Sequence, residues 1–401
     1  MNEPDKKNIR KKSNEENDSD CQMKPWKNVW KSKFNEAFVS LKKIFSGRKL
    51  IRRAVLYCVA VILVFCILLL NYAFSPIDVR NKTVVIDIPT GSSFMEATAL
   101  LQKEGLIKNR FFFYSLAAIK RASREIRAGE YEINTLISPV TMINKLIHGD
   151  VKIYKVVIPE DLALHDIAVI LDKDKLINKE IFFELARDKE FLKSLNIEAE
   201  SIEGYLFPDT YHFNRSMNTR RIMKKMVYTF WEKVTPSMIR RANNIGLSVH
   251  KLVTLASIIG KESGHTLEKP DIASVFYNRL RKRMPLQSDP TAVYDMDGFD
   301  GKILRSHLKR NSPYNTYLIK GLPPGPIANP GLASLTAALY PTSVDYLYFV
   351  SKNDGTHHFS SSLVEHNQAV NRYINLKDGQ NQELEDGKTQ ELQDEIPDED
   401  N

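Results

Sequence analysis

The hydrophobic residues of this chain follow three patterns, and each pattern predicts a different kind of element. Residues 54–70 form an apolar run without a charged side chain, and residues 71–74 extend it. Residues 82–177 contain short β-type runs between stretches of helical periodicity, which predicts strand–turn–helix units. Residues 177–280 mainly show the spacing of amphipathic helices. The patterns together predict an α+β protein whose folded part follows a long hydrophobic segment.

The apolar run has about the length that a helix needs to cross a hydrocarbon core of ~30 Å. Four basic residues precede it within 48–53, whereas Asp78 and Arg80 after it have opposite charges. The positive-inside rule then places the N-terminus in the cytoplasm and the residues after Ser75 outside. Because a leading region of 53 residues is too long for a cleaved signal peptide, we expect a single-pass helix at 54–74 in the cell membrane, which would be the inner membrane of a two-membrane cell.

The two ends of the chain have opposite charge. Residues 1–53 carry a net charge of +8 and residues 377–401 carry −8, in a chain whose total is +8. Residues 1–23 and the acidic tail at 376–401 are polar and predict disorder. Within the basic region 1–53, aromatic and aliphatic residues recur every three or four positions at 26–45. This spacing predicts an amphipathic helix that lies on the inner leaflet or binds a partner.

The part between the ends is also basic, but it lies outside the membrane in this topology and shows no nucleic-acid-binding module. We therefore expect cell-wall polymers and membrane lipid as partners rather than nucleic acid. The three cysteines, at 21, 58 and 66, leave this part without a disulfide or a thiolate metal site.

An internal repeat with an offset of 70 residues marks the first folded module. The strand-like segment 84–89 and a helical pattern that ends at Ile107 recur as segment 155–159 and a helical pattern that ends at Ile177. Each copy predicts a strand, a proline-containing turn and a helix. Segment 127–133 predicts a further strand and segment 142–149 a short helix that ends at a glycine. We therefore predict a small βααβ module at residues 82–155.

Glu262 is the candidate catalytic residue. In a helix over 252–262, Leu255, Ile258, Ile259 and Glu262 fall on one stripe, so a carboxylate shares the face that is expected to be buried. Apolar surroundings raise the pKa of a carboxylate, and the C-terminal end of a helix, which Gly264 predicts just beyond, does the same. A protonated carboxylic acid near neutral pH can donate a proton to a glycosidic oxygen. A solvated Glu at the end of a core helix would give the same pattern.

Two proline- and glycine-rich segments, 284–291 and 321–331, predict stiff loops of the kind that carry binding sites. Polar and aromatic side chains suited to N-acetyl sugars lie in the first of these loops and near the second: Gln287, Ser288, Asp289, Thr291, Tyr314, Asn315 and Tyr317. Asp289 is also the best candidate for a second carboxylate, although its place before Pro290 equally predicts a turn cap. His357 and His366 lack a third ligand at suitable spacing, so we predict no metal site and no cofactor.

Seven motifs occur in order along the chain: 203–211, 255–262, 273–280, 286–291, 314–317, 321–331 and 365–370. With these motifs the chain resembles the MltG (YceG-like) endolytic murein transglycosylase family over about residues 82–375. The resemblance implies a membrane-anchored enzyme with a LysM-like module at 82–155 and a mainly helical, mixed α/β catalytic domain at 156–375. It places the family's catalytic Glu at Glu262.

The family's reaction cleaves nascent peptidoglycan glycan strands between N-acetylmuramic acid and N-acetylglucosamine and leaves a 1,6-anhydro end, which implies a role in terminating strand elongation. Peptidoglycan synthases of the elongation or division machinery are then candidate partners. Two departures stand out: Gly260 occupies a position where many members have Glu, and 159–161 reads Pro-Glu-Asp in place of Pro-Glu-Gly. The alternative function is a non-catalytic, membrane-anchored scaffold that binds the cell wall, which would not require Glu262.

Overall fold

The computed structural model describes residues 48–122, 125–296, 298–299 and 301–375. The expectations for residues 1–47 and for the acidic tail lie outside the described residues. The first element, α1, is a single helix over Arg48–Phe74. Its segment Leu50–Phe74 has a mean hydropathy of 2.9 and is long and apolar enough to cross a membrane. The helix is therefore compatible with the single-pass anchor that the sequence predicts, and it forms a unit separate from the residues after Ser75.

The residues from Pro76 onward begin with the βααβ arrangement that the sequence predicts. Strand β1 (Thr83–Ile88) leads into helices α2 (Phe94–Lys103) and α3 (Arg110–Ile119), and the chain returns as β2 (Gly129–Asn134). β2 pairs with β1 in antiparallel register from Thr83 opposite Asn134 to Ile88 opposite Gly129. Helix α4 (Pro139–His148) follows and ends at Gly149, whose left-handed backbone stops the helix as its sequence position predicts.

The second copy of the repeat has the same plan with one more helix. Strand β3 (Tyr154–Val157) is followed by α5 (Leu164–Lys173), α6 (Lys179–Leu185) and α7 (Lys189–Ser194), and β4 (Thr210–Phe213) pairs with β3 in antiparallel register. Backbone bonds recur at the offset of 70: Leu106 N–H donates to the Leu101 carbonyl, and Leu176 N–H to that of Leu171. The two helix starts also agree, since Glu96 accepts from Ser93 N–H and Asp166 accepts from Ala163 N–H. The repeat read from the sequence is thus confirmed as a structural repeat.

Helices dominate the next part of the chain. They are α8 (Thr219–Lys233), α9 (Pro236–Asn244), α10 (Val249–Glu262) and α11 (Lys269–Arg281). Helix α10 is enclosed on all sides, because every residue from Leu252 to Gly260 is buried. A helix that is hydrophobic all round belongs in the centre of a domain. α10 accordingly lies in a hydrophobic core that extends from Val156 to Leu339.

The last elements pack against α10, against α11 or against one another. They are the short α12 (Asp289–Val293), α13 (Leu332–Leu339), the hairpin β5 (Tyr348–Ser351) and β6 (His357–Ser360), and α14 (Leu363–Val370), which continues as one π-type turn at Asn371–Asn375. The described residues as a whole form a mixed α/β structure. The proline-rich segment 321–331 lies in the interior: its residues 325–331 are all buried.

The helix ends where the sequence predicts, close to Gly264, but without a left-handed glycine cap. Helix α10 ends at Glu262 because Ser263 takes an extended backbone conformation, with φ −145° and ψ 129°. Gly264 is not among the residues with positive φ, so it does not form a left-handed cap. Glu262 is therefore the last helical residue, and the chain turns away directly behind it.

Candidate active site

Helix α10 carries Glu262 from the hydrophobic core to the edge of the domain. Ser248 starts the helix by accepting a hydrogen bond from Lys251 N–H at 3.3 Å. The stripe of Leu255, Ile258 and Ile259 is completely buried, whereas Glu262 at its end is partly exposed. The rigid helix thus fixes a carboxylate at a position that is largely desolvated yet open on one side.

Burial raises the pKa of the Glu262 carboxyl to about 7, and the negative charge of Asp289 acts in the same direction. The Ser288 hydroxyl, which donates a short hydrogen bond to Glu262 Oε1, and the positive charge of Arg279 oppose the shift. Within the described residues, Ser288 is the one hydrogen-bond donor to this carboxylate. Glu262 therefore carries a proton in a large fraction of molecules at neutral pH, which is the state required of a general acid.

The loop 285–291 places Ser288 beside Glu262, and hydrogen bonds among buried polar groups hold this loop in position. Ser288 N–H donates to the Thr316 hydroxyl at 3.0 Å, and the Thr291 hydroxyl donates to the Ser288 carbonyl at 2.5 Å. Thr291 and Thr316 are joined by a further hydroxyl–hydroxyl bond of 2.8 Å. All three side chains are buried. The position of the Ser288 hydroxyl is therefore set by neighbouring buried polar groups.

Arg279 fixes the same loop from the side of helix α11. Its guanidinium is buried and donates to the backbone carbonyls of Leu347, Leu286 and Pro285 at 2.7, 2.9 and 3.2 Å, and to the side chain of Gln287 at 3.0 Å. Sequence reasoning did not select Arg279 as a site residue. A sequence pattern could have identified it. Ile272, Val275, Phe276 and Arg279 fall on one helical stripe that ends in a charged residue, as the stripe of α10 ends in Glu262.

Asp289 and Tyr317 form a second pair at the mouth of the site. The Tyr317 hydroxyl donates a short hydrogen bond to Asp289 Oδ1. Asp289 is exposed and Tyr317 is partly buried, and burial together with the Asp289 carboxylate raises the pKa of the tyrosine. The structure therefore brings Gln287, Ser288, Asp289 and Tyr317 into the neighbourhood of Glu262.

The other predicted site residues lie deeper. Asn315 is fully buried; its amide donates to the carbonyls of Leu308 and Arg310, and its oxygen accepts from Tyr317 N–H. The ring of Tyr314 packs against Tyr294 at a centroid distance of 4.8 Å. Thr291 is buried beneath Ser288. These three side chains hold the loops together in this structure.

Another carboxylate with a raised pKa, Glu203, is buried elsewhere in the same domain. Glu203 is 3% exposed and accepts three hydrogen bonds, from Leu164 N–H at 3.0 Å, the Tyr294 hydroxyl at 2.9 Å and Asn329 Nδ2 at 2.7 Å. Burial raises its pKa to about 7 in spite of these donors. Asn329 in turn accepts from Gly204 N–H and Leu206 N–H, so this cluster ties three loops together. In the sequence, Glu203 and Asn329 stand out only as members of the motifs 203–211 and 321–331.

The two histidines considered as metal ligands have other neighbours. His357 Nδ1 contacts Glu268 Oε2 at 2.8 Å, and the His366 ring stacks on Tyr348. Among the described residues, no group of three or more His, Cys, Asp or Glu side chains could hold a metal ion.

A cavity of about 820 Å³ lies away from Glu262. It is lined by residues of α9, α11 and the segment 341–346. Its polar side chains bond to nearby groups: Asn278 Nδ2 donates to the Val344 and Tyr346 carbonyls, and Ser274 donates to that of Val344. These bonds attach segment 341–346 to α11 and provide no chemistry of their own.

Comparison with known proteins agrees with the geometry of the site. A family model described as the YceG-like family matches residues 86–372. An endolytic murein transglycosylase from Bacillus subtilis is 38% identical over 320 residues, which cover 75% of this chain and 88% of that protein. An endolytic murein transglycosylase from Streptococcus pneumoniae is 29% identical over 337 residues, which cover 75% of this chain but 60% of that longer protein. The crystal structure of a YceG-like protein from Listeria monocytogenes is 33% identical, covers 72% of this chain and 99% of that one, and superposes with a TM-score of 0.50.

Proposed function

The chain belongs to the YceG-like family, and on this premise we propose that it is an endolytic lytic transglycosylase of peptidoglycan. It cleaves the bond between N-acetylmuramic acid and N-acetylglucosamine in glycan strands and leaves 1,6-anhydro ends. The observation that carries the proposal is Glu262, a partly exposed carboxyl whose pKa is raised by burial to about 7. The alternative of a non-catalytic wall-binding scaffold gives no reason for a desolvated acid at this position.

One carboxyl suffices for the reaction. Protonated Glu262 donates its proton to the glycosidic oxygen as the bond from C1 of the muramic sugar to that oxygen breaks. The Glu262 carboxylate then takes the proton of the C6 hydroxyl of the same sugar, and that oxygen bonds to C1. The product is the 1,6-anhydro sugar, no water is consumed, and Glu262 regains its proton. Ser288 steadies the carboxylate in both states because its hydroxyl can donate to either.

A lysozyme-type hydrolase would need a second carboxylate as nucleophile or base. Asp289 is the candidate, and its charge acts on Glu262. Its Oδ1, however, already accepts the hydrogen bond from Tyr317. We assign to Asp289 the role of keeping the pKa of Glu262 high, which supports proton donation rather than nucleophilic attack.

The exposed groups around Glu262 supply the sugar contacts in this proposal. Gln287, Asp289 and Tyr317 offer an amide, a carboxylate and an aromatic hydroxyl at the mouth of the site. Ser288 and Thr291 act from below, and Tyr314 and Asn315 hold the loop that carries Tyr317. These four supporting residues therefore contribute to substrate binding by fixing the positions of the loops.

The remaining parts of the proposal concern location. Helix α1 anchors the enzyme in the cell membrane with its N-terminus in the cytoplasm, and the βααβ part at 82–155 acts as a LysM-like module beside the catalytic domain. A membrane tether raises the local concentration of the enzyme at the membrane, where new strands are made. Membrane lipid and peptidoglycan synthases are the partners that such a location provides.

Digestion of uncrosslinked glycan strands by the full-length chain in detergent tests the activity, with the product mass as readout. The transglycosylase reaction yields fragments that are lighter by one water molecule than the hydrolytic fragments and that have no reducing end. Fragments with reducing muramic acid ends would replace the proposal by a hydrolase and make Asp289 the suspected second carboxylate. Intact strands would favour the scaffold.

A further inference from the structure

The turn between β3 and α5 reaches the helix that carries Glu262. Residues Glu160 and Asp161 lie in this turn, and Gly260 lies in the last turn of α10, two residues before Glu262. A Cβ atom added at Gly260 would lie 1.8 Å from Asp161 Oδ1 and 2.4 Å from its carboxyl carbon. The Asp161 side chain therefore occupies the space that a side chain at position 260 would fill.

A buried lysine fixes the Asp161 carboxylate in that space. Lys269, the first residue of α11, is 2% exposed, and its Nζ lies 3.4 Å from Asp161 Oδ2 and 3.8 Å from Glu160 Oε2. Nζ also donates to the Ser334 hydroxyl in α13 at 2.8 Å. A buried ammonium requires such partners because its desolvation is costly. Asp161 thus packs against α10 at Gly260 and is linked to α11 and α13 by the ammonium group of Lys269.

The internal repeat shows that an aspartate at this turn is a special feature of the second copy. Position 161 corresponds to Gly91 in the first copy, and both residues have a left-handed backbone, with φ +87° at Gly91 and +63° at Asp161. Glycine adopts this conformation without strain, whereas a residue with a side chain does not. A Cβ at Gly91 would contact nothing within 4 Å. The second copy therefore accepts backbone strain and a buried oxygen, Asp161 Oδ1, without a hydrogen-bond partner.

We propose that Asp161 is a positioning residue for Glu262: its side chain fits against the glycine surface of α10 and, through Lys269, holds the segment 263–268 that leads from Glu262 to α11. Glu268, next to Lys269 at the same end of the segment, accepts from His357 N–H at 2.9 Å, and the Asp161 side chain packs against Gly260 at the other end. With both ends fixed, the last turn of α10 cannot shift, and Glu262 stays within reach of the Ser288 hydroxyl.

The proposal rests on the proposed function for its kinetic readout, so the experiment adds a second readout that does not depend on activity. The variants are Asp161→Gly, Gly260→Ala and the exchange Asp161→Gly with Gly260→Asp, all in the full-length chain. The exchange returns glycine to the left-handed position and supplies the carboxylate to Lys269 from the helix. Asn196→Gly is the matched control, since it removes an exposed asparagine with φ +57° at a turn behind α7.

Each single variant is expected to lower kcat by about 10-fold to 100-fold with KM changed by less than about threefold, because a displacement near 1 Å at a catalytic group has effects of this size. The exchange is expected to recover kcat to within about threefold of the wild type, since contacting sites couple. Asn196→Gly should leave kcat unchanged. The proposal would be overturned if Asp161→Gly had the kcat of the wild type. It would also be overturned if the kcat of the exchange fell by the product of the two single-variant decreases.

The second readout is the pKa of the Glu262 carboxyl, followed by NMR of ¹³C-labelled glutamate with Glu262→Gln to assign the signal. In Asp161→Gly and in Gly260→Ala the pKa of Glu262 is expected to fall towards the ordinary range of a glutamate, because a displaced carboxyl becomes more hydrated. The exchange should restore the raised pKa. An unchanged Glu262 titration in both folded variants overturns the proposal, whether or not the wild type cleaves glycan strands. If Asp161→Gly does not fold, Asp161→Asn, which keeps the shape and loses the charge facing Lys269, is measured against the same two expectations.

Discussion

Glu203 and Glu262 form an instructive pair, because both carboxyls have a pKa raised by burial to about 7 and both lie in one domain. Glu203 is 3% exposed and accepts three hydrogen bonds from groups on three different segments. Glu262 is open on one side and, among the described residues, has Ser288 as its hydrogen-bond donor. The same raised pKa therefore accompanies two quite different environments.

The difference teaches that a perturbed pKa alone does not identify a catalytic acid. Perturbed values cluster at functional sites, but structural networks produce them as well. What distinguishes Glu262 is exposure: its side chain is partly exposed, whereas Glu203 is buried and accepts hydrogen bonds from three protein donors. The donors around Glu203 connect the turn behind β3, the segment 203–206 and the loop that contains Asn329. We therefore assign to Glu203 the role of holding loops in place and retain Glu262 as the proposed acid.

The comparison predicts its largest effect for Glu262→Gln. Glutamine keeps the shape and can accept from Ser288, but it cannot donate a proton to a leaving oxygen. We expect kcat on glycan strands to fall by about 10²–10⁴-fold. The substitution is not expected to lower the stability of the fold at alkaline pH. A carboxyl whose folded-state pKa lies above its unfolded-state pKa destabilises the fold as pH rises through the interval between the two values.

The variant is therefore expected to melt no lower than the wild type at pH 8, as followed by circular dichroism. More than half of the wild-type turnover would remove Glu262 from the mechanism. A clear loss of folded protein would place it with Glu203 as a structural carboxylate.

Glu203→Gln should show the reverse result. The amide group cannot accept from all three donors, so buried donors lose their partner, at a cost of about 1–3 kcal/mol. The folded-state pKa of Glu203 is raised from 4.5 to about 7. The wild-type carboxyl consequently contributes stability that is present at pH 4.5 and is lost as pH rises to 7.

The deficit of the variant, measured by urea unfolding, is therefore expected to be larger at pH 5 than at pH 8. Its kcat per folded molecule should stay close to that of the wild type. Normal stability with a strongly reduced kcat would show that the two carboxyls had been assigned to the wrong roles.

The smallest effect concerns the pH profile. A general acid must be protonated, so the activity of the wild type is expected to fall as pH rises above about 7, following Glu262. Asp289→Asn removes a negative charge that raises this pKa, and the alkaline limb of the kcat profile should move to lower pH. Asp271→Asn serves as control, because Asp271 is not among the charges that act on Glu262.

An unmoved limb in Asp289→Asn would show that burial alone sets the pKa of Glu262. Complete loss of activity across the pH range would instead support a direct chemical role for Asp289, as in a two-carboxylate hydrolase.

Local patterns determined much of this protein from the sequence. The apolar run predicted the long helix α1, the offset of 70 predicted two related strand–helix units, and the stripe of Leu255, Ile258 and Ile259 placed Glu262 at the end of a buried helix. These features depend on neighbours within a few turns or on a repeated segment, and such information is contained in the order of residues. The raised pKa of Glu262 followed from the same stripe.

Tertiary structure alone decided which distant residues meet. Arg279, Ser288 and Thr316 converge below Glu262 although they lie on separate segments, and Asn315 is buried among carbonyls that its polarity did not predict. The contact between Asp161 and Gly260 spans about a hundred positions and is invisible in either local sequence. Side-chain identity limits what a residue can do, but the packing of helices and loops fixes its distance from water and from its partners, and that distance determines whether a carboxyl acts as an acid or as a support.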